Sequence, residues 1–284
     1  MVVPSISALD EGLGPCLQRL REQQGVSLDG AAARLNVSTA SIRRMEKGQT
    51  VPRPSDLRAL LCLYGVGSVR GAALENAAQR ERAARQRGEA APSVGSGLQR
   101  GEAVLACLEQ QATAIGDYQG YVLPALVRTR AYMRAIYLAR GLADGLEDAL
   151  GLHERRVADA LEGRYRLAVV VEESVLRRPV GDAGVMLEQL GHLLEVAALP
   201  HVTVQVIAAD AGVLATQVAF TLLRFAAEPA LVHGETMHGY QLVDEPAAVT
   251  RWAGEFACLQ AAAVSGEGSR QLIAAARARA LKRD

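Results

Sequence analysis

Aromatic residues are scarce in this chain: 3 Phe, 7 Tyr and 1 Trp among 284 residues. Any core must be built from Ala, Leu and Val, and the 50% hydrophobic content leaves enough of them for a sizeable one. Lysine is nearly missing too. Lys47 and Lys282 are the two lysines, and the other basic residues are Arg; with the abundant Ala, Gly and Val, this bias suggests GC-rich bacterial coding. Neither charge is in excess, with 31 Lys and Arg against 31 Asp and Glu, so the chain as a whole does not resemble a nucleic-acid protein. The four cysteines, Cys16, Cys62, Cys107 and Cys258, are far apart in apolar helical stretches. That spacing excludes a disulfide framework and a cysteine metal site and predicts buried reduced thiols. The N-terminus lacks a basic segment followed by an apolar one, and nowhere do about 18 apolar residues run together. A cytoplasmic protein without membrane contact is expected. No Gly-rich phosphate loop, nucleophile elbow or dinucleotide fingerprint occurs, so neither an enzyme nor a cofactor is expected.

What is present is concentrated near the N-terminus. The overall neutrality hides an uneven split: residues 1–90 hold 13 Lys and Arg against 9 Asp and Glu, net +4, and the remainder is net −4. Within the basic part, residues 28–44 read Leu-Asp-Gly-Ala-Ala-Ala-Arg-Leu-Asn-Val-Ser-Thr-Ala-Ser-Ile-Arg-Arg. Ala31, Leu35, Val37, Ile42 and Met45 sit where two short crossed helices would bury them. Ala32 is small, as a close helix crossing requires. Asn36 falls at the turn, where a left-handed backbone is needed and Asn tolerates it. Ser38 is then a good N-cap for the second helix. Leu13, Cys16, Leu17 and Leu20 give a preceding helix its apolar face. Gly25 ends that helix and Ser27 caps the next. After the stop at Met45-Glu46-Lys47-Gly48, residues 51–55 lead into a helix carrying Leu57, Leu60, Leu61 and Leu63.

This helix-turn-helix pattern, over residues 12–66, resembles the Xre/Cro/C1-repressor type of DNA-binding domain. Arg21, Gly25, Ser27, Leu28, Ala32, Leu35, Val37, Ser38, Ile42, Glu46, Gly48 and Pro52 carry the resemblance. Gly30 departs from it, at a cost of about 1 kcal/mol in a helix interior. The resemblance implies that the second helix enters the major groove of double-stranded DNA, N-terminal end first. By that register Thr39, Ala40 and Arg44 read base edges: Arg44 suits guanine, and Ala40 or the Thr39 methyl suits thymine. Ser38, Ser41, Arg43, Lys47 and Arg53 are placed for phosphates, and Ser27 for a phosphate clamp at a helix start. The register also pairs Arg21 with Glu46. One head buries little surface, so a homodimer on a palindromic site is expected.

Further on, residues 68–87 form an Ala- and Arg-rich helix whose cations either meet phosphates or line a solvated face. Residues 88–101, with Gly88, Pro92, Gly95, Gly97 and Gly101, read as a linker. Helical spacing returns at 102–117, 129–142 and 144–162. A strand is expected at 166–171, a helix at 185–198 and a strand at 202–206. Three more strands at 219–225, 230–235 and 239–243 precede helices at 246–264 and 267–282. The expected fold class is an all-α helix-turn-helix domain (1–87), a linker (88–101), and an α+β domain (102–284) with a small, mostly antiparallel sheet.

Residues 167–265 carry a second resemblance, to the C-terminal domain that follows an Xre-type head in actinobacterial, antitoxin-like regulators. It rests on Glu-Glu-Ser-Val-Leu-Arg-Arg-Pro-Val-Gly at 172–181, Gln189-Leu190 with His192-Leu193-Leu194, residues 202–207, residues 220–225 and Gly234-Glu235-Thr236. The family's Pro-Gly-Leu-Leu-Gln-Thr element is altered here to Pro124-Ala125-Leu126-Val127-Arg128-Thr129. This resemblance implies a regulator paired with a small partner protein, and assigns no chemistry. The domain is expected to dimerise and to receive a partner or ligand, with the loop and strand edge at 209–216 the most exposed candidate. A protein-interaction module acting through that partner is the alternative to a DNA-binding regulator. His233, Glu235 and His238 are too few for a metal site and read as strand edge and turn. Glu172 and Glu173, beside Arg177 and Arg178, read as a capping and ion-pairing cluster rather than an acid–base pair.

Overall fold

The structure is a computed structural model that describes residues 5–86, 94–143, 145–212, 218–236 and 239–281. Among these, six helices come first: α1 (Leu13–Gln23), α2 (Leu28–Leu35), α3 (Thr39–Glu46), α4 (Pro54–Leu63), α5 (Ser68–Gln86) and α6 (Val94–Glu109). Then follow β1 (Ala114–Gln119), α7 (Arg130–Ala139), α8 (Leu146–Leu161), β2 (Arg166–Glu172), α9 (Glu173–Arg177), α10 (Ala183–Val196) and β3 (Val202–Ile207). The chain closes with β4 (Phe220–Arg224), β5 (Leu231–Thr236), β6 (Gly239–Val243), α11 (Pro246–Ala262) and α12 (Gly266–Ala280). A helical N-terminal region thus precedes an α+β region. Two compact units result, one spanning Met1–Gln111 with Ala227–Val249, the other Ala112–Ala226 with Thr250–Asp284.

The first unit contains α1–α6 and the antiparallel pair β5–β6, in which Val232 faces Val243 and Thr236 faces Gly239. Its core is mainly aliphatic, with Tyr64 and Tyr240 also buried: Leu17, Leu20, Ile42, Leu57, Leu60 and Leu74 are essentially inaccessible. The strand pair is fastened by polar contacts. Tyr240 donates to the Leu9 carbonyl at 3.1 Å, and the Ile6 amide donates to Asp244 at 2.6 Å. The fully buried Arg70 reaches Glu228 at 2.9 Å and Asp244 at 3.8 Å. A guanidinium survives such burial only when its charge is matched.

The second unit orders its strands β3-β2-β1-β4, the first three parallel and β4 antiparallel to β1. The sheet is therefore mixed rather than fully antiparallel: two of these pairings are parallel and one is antiparallel. Helical crossovers make the parallel arrangement possible, α7 and α8 between β1 and β2, and α10 between β2 and β3. Val169, Val170 and Val171 are consecutively buried, as a strand covered on both faces demands. Phe220 packs against Trp252 and Phe256 of α11. Gly116 is required on β1, because a Cβ there would lie 2.8 Å from the Phe256 ring.

Several local expectations need correction. Residues 114–117, expected at the end of a helix, open β1. Val37 is 36% exposed rather than buried, because the left-handed Asn36 turns the chain outward before α3. All four cysteines are free, yet Cys62 and Cys258 are exposed, on the outward faces of α4 and α11. Residues 94–101, within the segment read as a linker, lie in α6. Residues 88–93, His238 and residues 213–216 lie outside the described residues.

Candidate nucleic-acid interface

The local chemistry of residues 27–46 dictates two short helices and the turn between them. Ser27 caps α2, its hydroxyl accepting the Gly30 amide at 3.0 Å. Asn36 ends α2 at φ 54°, ψ 47°, in the left-handed region. Ser38 caps α3 by accepting the Ser41 amide at 3.2 Å. The helices then cross over small residues, Ala31 at 0% and Ala32 at 5% exposure.

The back of α3 is anchored by Ile42, which is fully buried, and by Glu46. Glu46 receives two hydrogen bonds from Arg21 of α1, Nε at 2.6 Å and Nη2 at 3.0 Å. The paired carboxylate raises the Arg21 pKa further, and burial of the pair only partly opposes it. Arg21 also donates to the Val26 carbonyl at 3.1 Å, tying the loop before α2 to the same cluster. Nearby, burial pushes the Tyr64 hydroxyl up to about 12.

The opposite face of α3 is free. Ala40, Arg43, Arg44 and Lys47 recur at helical spacing and are all exposed. Thr39 and Ser41 are half-buried at the start of the same face. The Ser38 and Ser41 hydroxyls lie 3.0 Å apart, and Arg44 donates to the Ser41 hydroxyl at 3.3 Å. Arg44 is thereby laid along the helix. The first turn of α3 has no acidic residue, so the positive end of its dipole is uncompensated. Ser27 is exposed at the start of α2, where Asp29 shares the first turn. Arg53 is exposed immediately before α4 and makes no capping bond. The structure thus brings Ser38, Thr39, Ala40, Ser41, Arg43, Arg44 and Lys47 onto one helix, with Ser27 and Arg53 at the starts of two others.

Two contributors escaped the sequence reading. Gly14 lies where α1 meets the end of α3: a Cβ there would come within 2.6 Å of the Glu46 carbonyl oxygen and the Gly48 amide. Arg85, read as part of a solvated or phosphate-facing run, donates instead to the carbonyls of Gly48 and Gln49. It braces the turn that closes α3. Neither role has a local sequence signal, since both partners are distant in the chain.

The other clusters singled out in the sequence have structural partners. Glu173 accepts the Ala209 amide at 3.0 Å and pairs with Arg177; these contacts, the amide first, hold its carboxyl below the usual range. Glu172 accepts the Tyr118 hydroxyl at 3.0 Å. His233 stacks on Tyr240 with ring centroids 5.6 Å apart. No three His, Cys, Asp or Glu side chains among the described residues are grouped as a metal would require, and no described helix is long and apolar enough to cross a membrane.

Comparison with known families gives two matches. The family described as "Helix-turn-helix domain" matches residues 13–74, covering α1–α4 and the start of α5. The family described as "Domain of unknown function (DUF5753)" matches residues 103–275, more than half of the chain. No curated protein and no solved structure matches.

Proposed function

Because the chain belongs to the DUF5753 family and carries a helix-turn-helix domain, we propose that it is a sequence-specific, non-enzymatic transcriptional regulator that binds double-stranded DNA in the cytoplasm. The observation that carries this reading is the exposed stripe Ala40, Arg43, Arg44 and Lys47 on a helix held from behind by Arg21 and Glu46. On this reading α3 enters the major groove as in Xre-type heads. Arg44 and Ala40 meet base edges, with Thr39 beside them. Ser38, Ser41, Arg43, Lys47 and Arg53 meet phosphates, as does the start of α2 at Ser27. A palindromic operator bound by a homodimer compensates for the small area of one head.

The test is DNA affinity of the full chain, on a selected operator and on random duplex. Affinity should fall steeply between about 50 and about 200 mM salt, as released counterions require. Arg44→Ala should cost roughly 1–3 kcal/mol on the operator and relax preference at one base pair, whereas Arg43→Ala should weaken all sequences alike. A flat salt response would overturn the DNA reading, and uniform loss in both variants would overturn the division of roles. Sedimentation of the free chain and of its operator complex tests the dimer.

A further inference from the structure

The three parallel strands of the second unit end on the same side, and the segments that leave them meet there. Tyr121 follows β1, Arg177 and Arg178 follow β2, and Ala209 follows β3. Ser174, Arg177, Arg178 and Ala209 line an open cavity of about 400 Å³. That volume suits a small molecule.

The chemistry of the lining is specific. Arg178 is exposed, and its guanidinium sits 5.7 Å from the centroid of the Tyr121 ring. Tyr121 is itself 64% exposed, so the pair contributes little to the core. Among the described residues no carboxylate pairs with Arg178. Glu172 is engaged by Tyr118, and Glu173 by Arg177 and the Ala209 amide. Glu173 therefore acts as a brace that joins the end of β2 to the end of β3 and fixes Arg177 at the rim. The charge of Arg279 also reaches Glu173. Asp210, next to Ala209 in the chain, is exposed. An aromatic platform orients a guanidinium without neutralising it, leaving its planar fork for an incoming anion.

We propose that this cavity binds an organic phosphate. Arg178 is its principal ligand, Arg177 and the Ser174 hydroxyl are further donors, and Tyr121 is the platform that holds Arg178 in place. A phosphate group offers several oxygens to donors arriving from different segments, whereas a carboxylate is satisfied by a single guanidinium fork. The site is separate from the helix-turn-helix face and does not rest on the DNA-binding reading.

Calorimetric titration of the full chain with adenosine monophosphate, inorganic phosphate and acetate, at constant ionic strength, tests the proposal. Adenosine monophosphate should bind saturably with a Kd of about 1 mM or tighter. Inorganic phosphate should bind more weakly at the same site, and acetate should give no saturable signal. Arg178→Ala should weaken nucleotide binding about tenfold or more. Arg178→Lys, which keeps the charge but loses the fork, should fall between it and the unaltered chain, and Tyr121→Ala should weaken binding less than Arg178→Ala. Loss of the signal in Arg43→Ala would place the phosphate on the DNA-facing helix instead and overturn the proposal. The proposal is overturned if neither phosphate saturates, if acetate binds as well as phosphate, or if Arg178→Ala binds like the unaltered chain.

Discussion

Arg21 and Glu46 lie 25 residues apart, and both are less than a tenth exposed. The family register made this pair legible in the sequence. The two hydrogen bonds joining the residues fix the spacing between α1 and α3. Removing either partner strands the other charge inside the unit, so each single replacement should cost about 3–5 kcal/mol, while the double replacement should cost less than their sum. Urea denaturation of Arg21→Met, Glu46→Gln and the double variant measures this coupling, and additive losses would mean that the pair is not coupled. Arg70 is an equally buried cation whose partner could not be read ahead, because Glu228 lies 158 residues away. His153 supplies a pH dependence. Burial, with Arg156 and Arg128 nearby, lowers its pKa to about 3, and its Nε2 donates to the Arg128 carbonyl at 3.1 Å. Between about pH 6.5 and pH 3 the unfolded chain therefore binds a proton that the folded chain refuses. This term favours folding fully above pH 6.5 and is lost on acidification, at up to about 1.4 kcal/mol per pH unit. His153→Gln should flatten the acid limb of stability against pH; an unchanged slope would show that His153 protonates freely in the folded state.

At the scale of elements, α2 and α3 were legible because their signals are local: a cap, a turn residue and a short apolar period. The strand β1 was not. Its sequence, Ala-Ile-Gly-Asp-Tyr-Gln, neither alternates nor favours a strand, since Gly and Asp are poor strand formers. It becomes a strand because β2 and β4 pair on its two sides and because Phe256 needs the space that Gly116 leaves. Tertiary context outweighs propensity there. The reading of the sheet therefore lacked one of its parallel strands. Gly14 illustrates the same conflict within a helix. Ala should favour an isolated α1 by about 1 kcal/mol, but its Cβ would meet backbone atoms of Glu46 and Gly48 that cannot swing aside. Gly14→Ala should destabilise the first unit by about 1–3 kcal/mol and weaken DNA binding by displacing α3. Thermal melting together with operator affinity decides between the two effects, and a raised melting temperature would show that α1 and α3 can part without loss.

At the scale of the molecule, β5 and β6 lie within the DUF5753 match, while the compact unit they join is the one that carries the helix-turn-helix. The sequence shows a basic head followed by a separate acidic region, and nothing in a linear reading brings residues 227–249 back to it. The recruiting contacts are chemical: Arg70 with Glu228 and Asp244, Ile6 with Asp244, and Tyr240 with the Leu9 carbonyl. A fragment of residues 1–90 keeps the groove helix and the net positive charge but loses every one of these partners. It exposes Ile6 and Leu9 to water and leaves the Arg70 charge beside an apolar surface. The fragment should therefore melt at a lower temperature and less cooperatively than the full chain, even though it holds the whole helix-turn-helix. In the full chain, Glu228→Gln keeps the shape but removes the charge facing Arg70, and should cost about 3 kcal/mol or more. Circular dichroism melts of the fragment, the full chain and the Glu228→Gln variant test this together. If the fragment melts as high as the full chain and Glu228→Gln is neutral, the β5–β6 pair is a passive neighbour. If both lose stability, the helix-turn-helix unit is completed by a strand pair from the family's own domain.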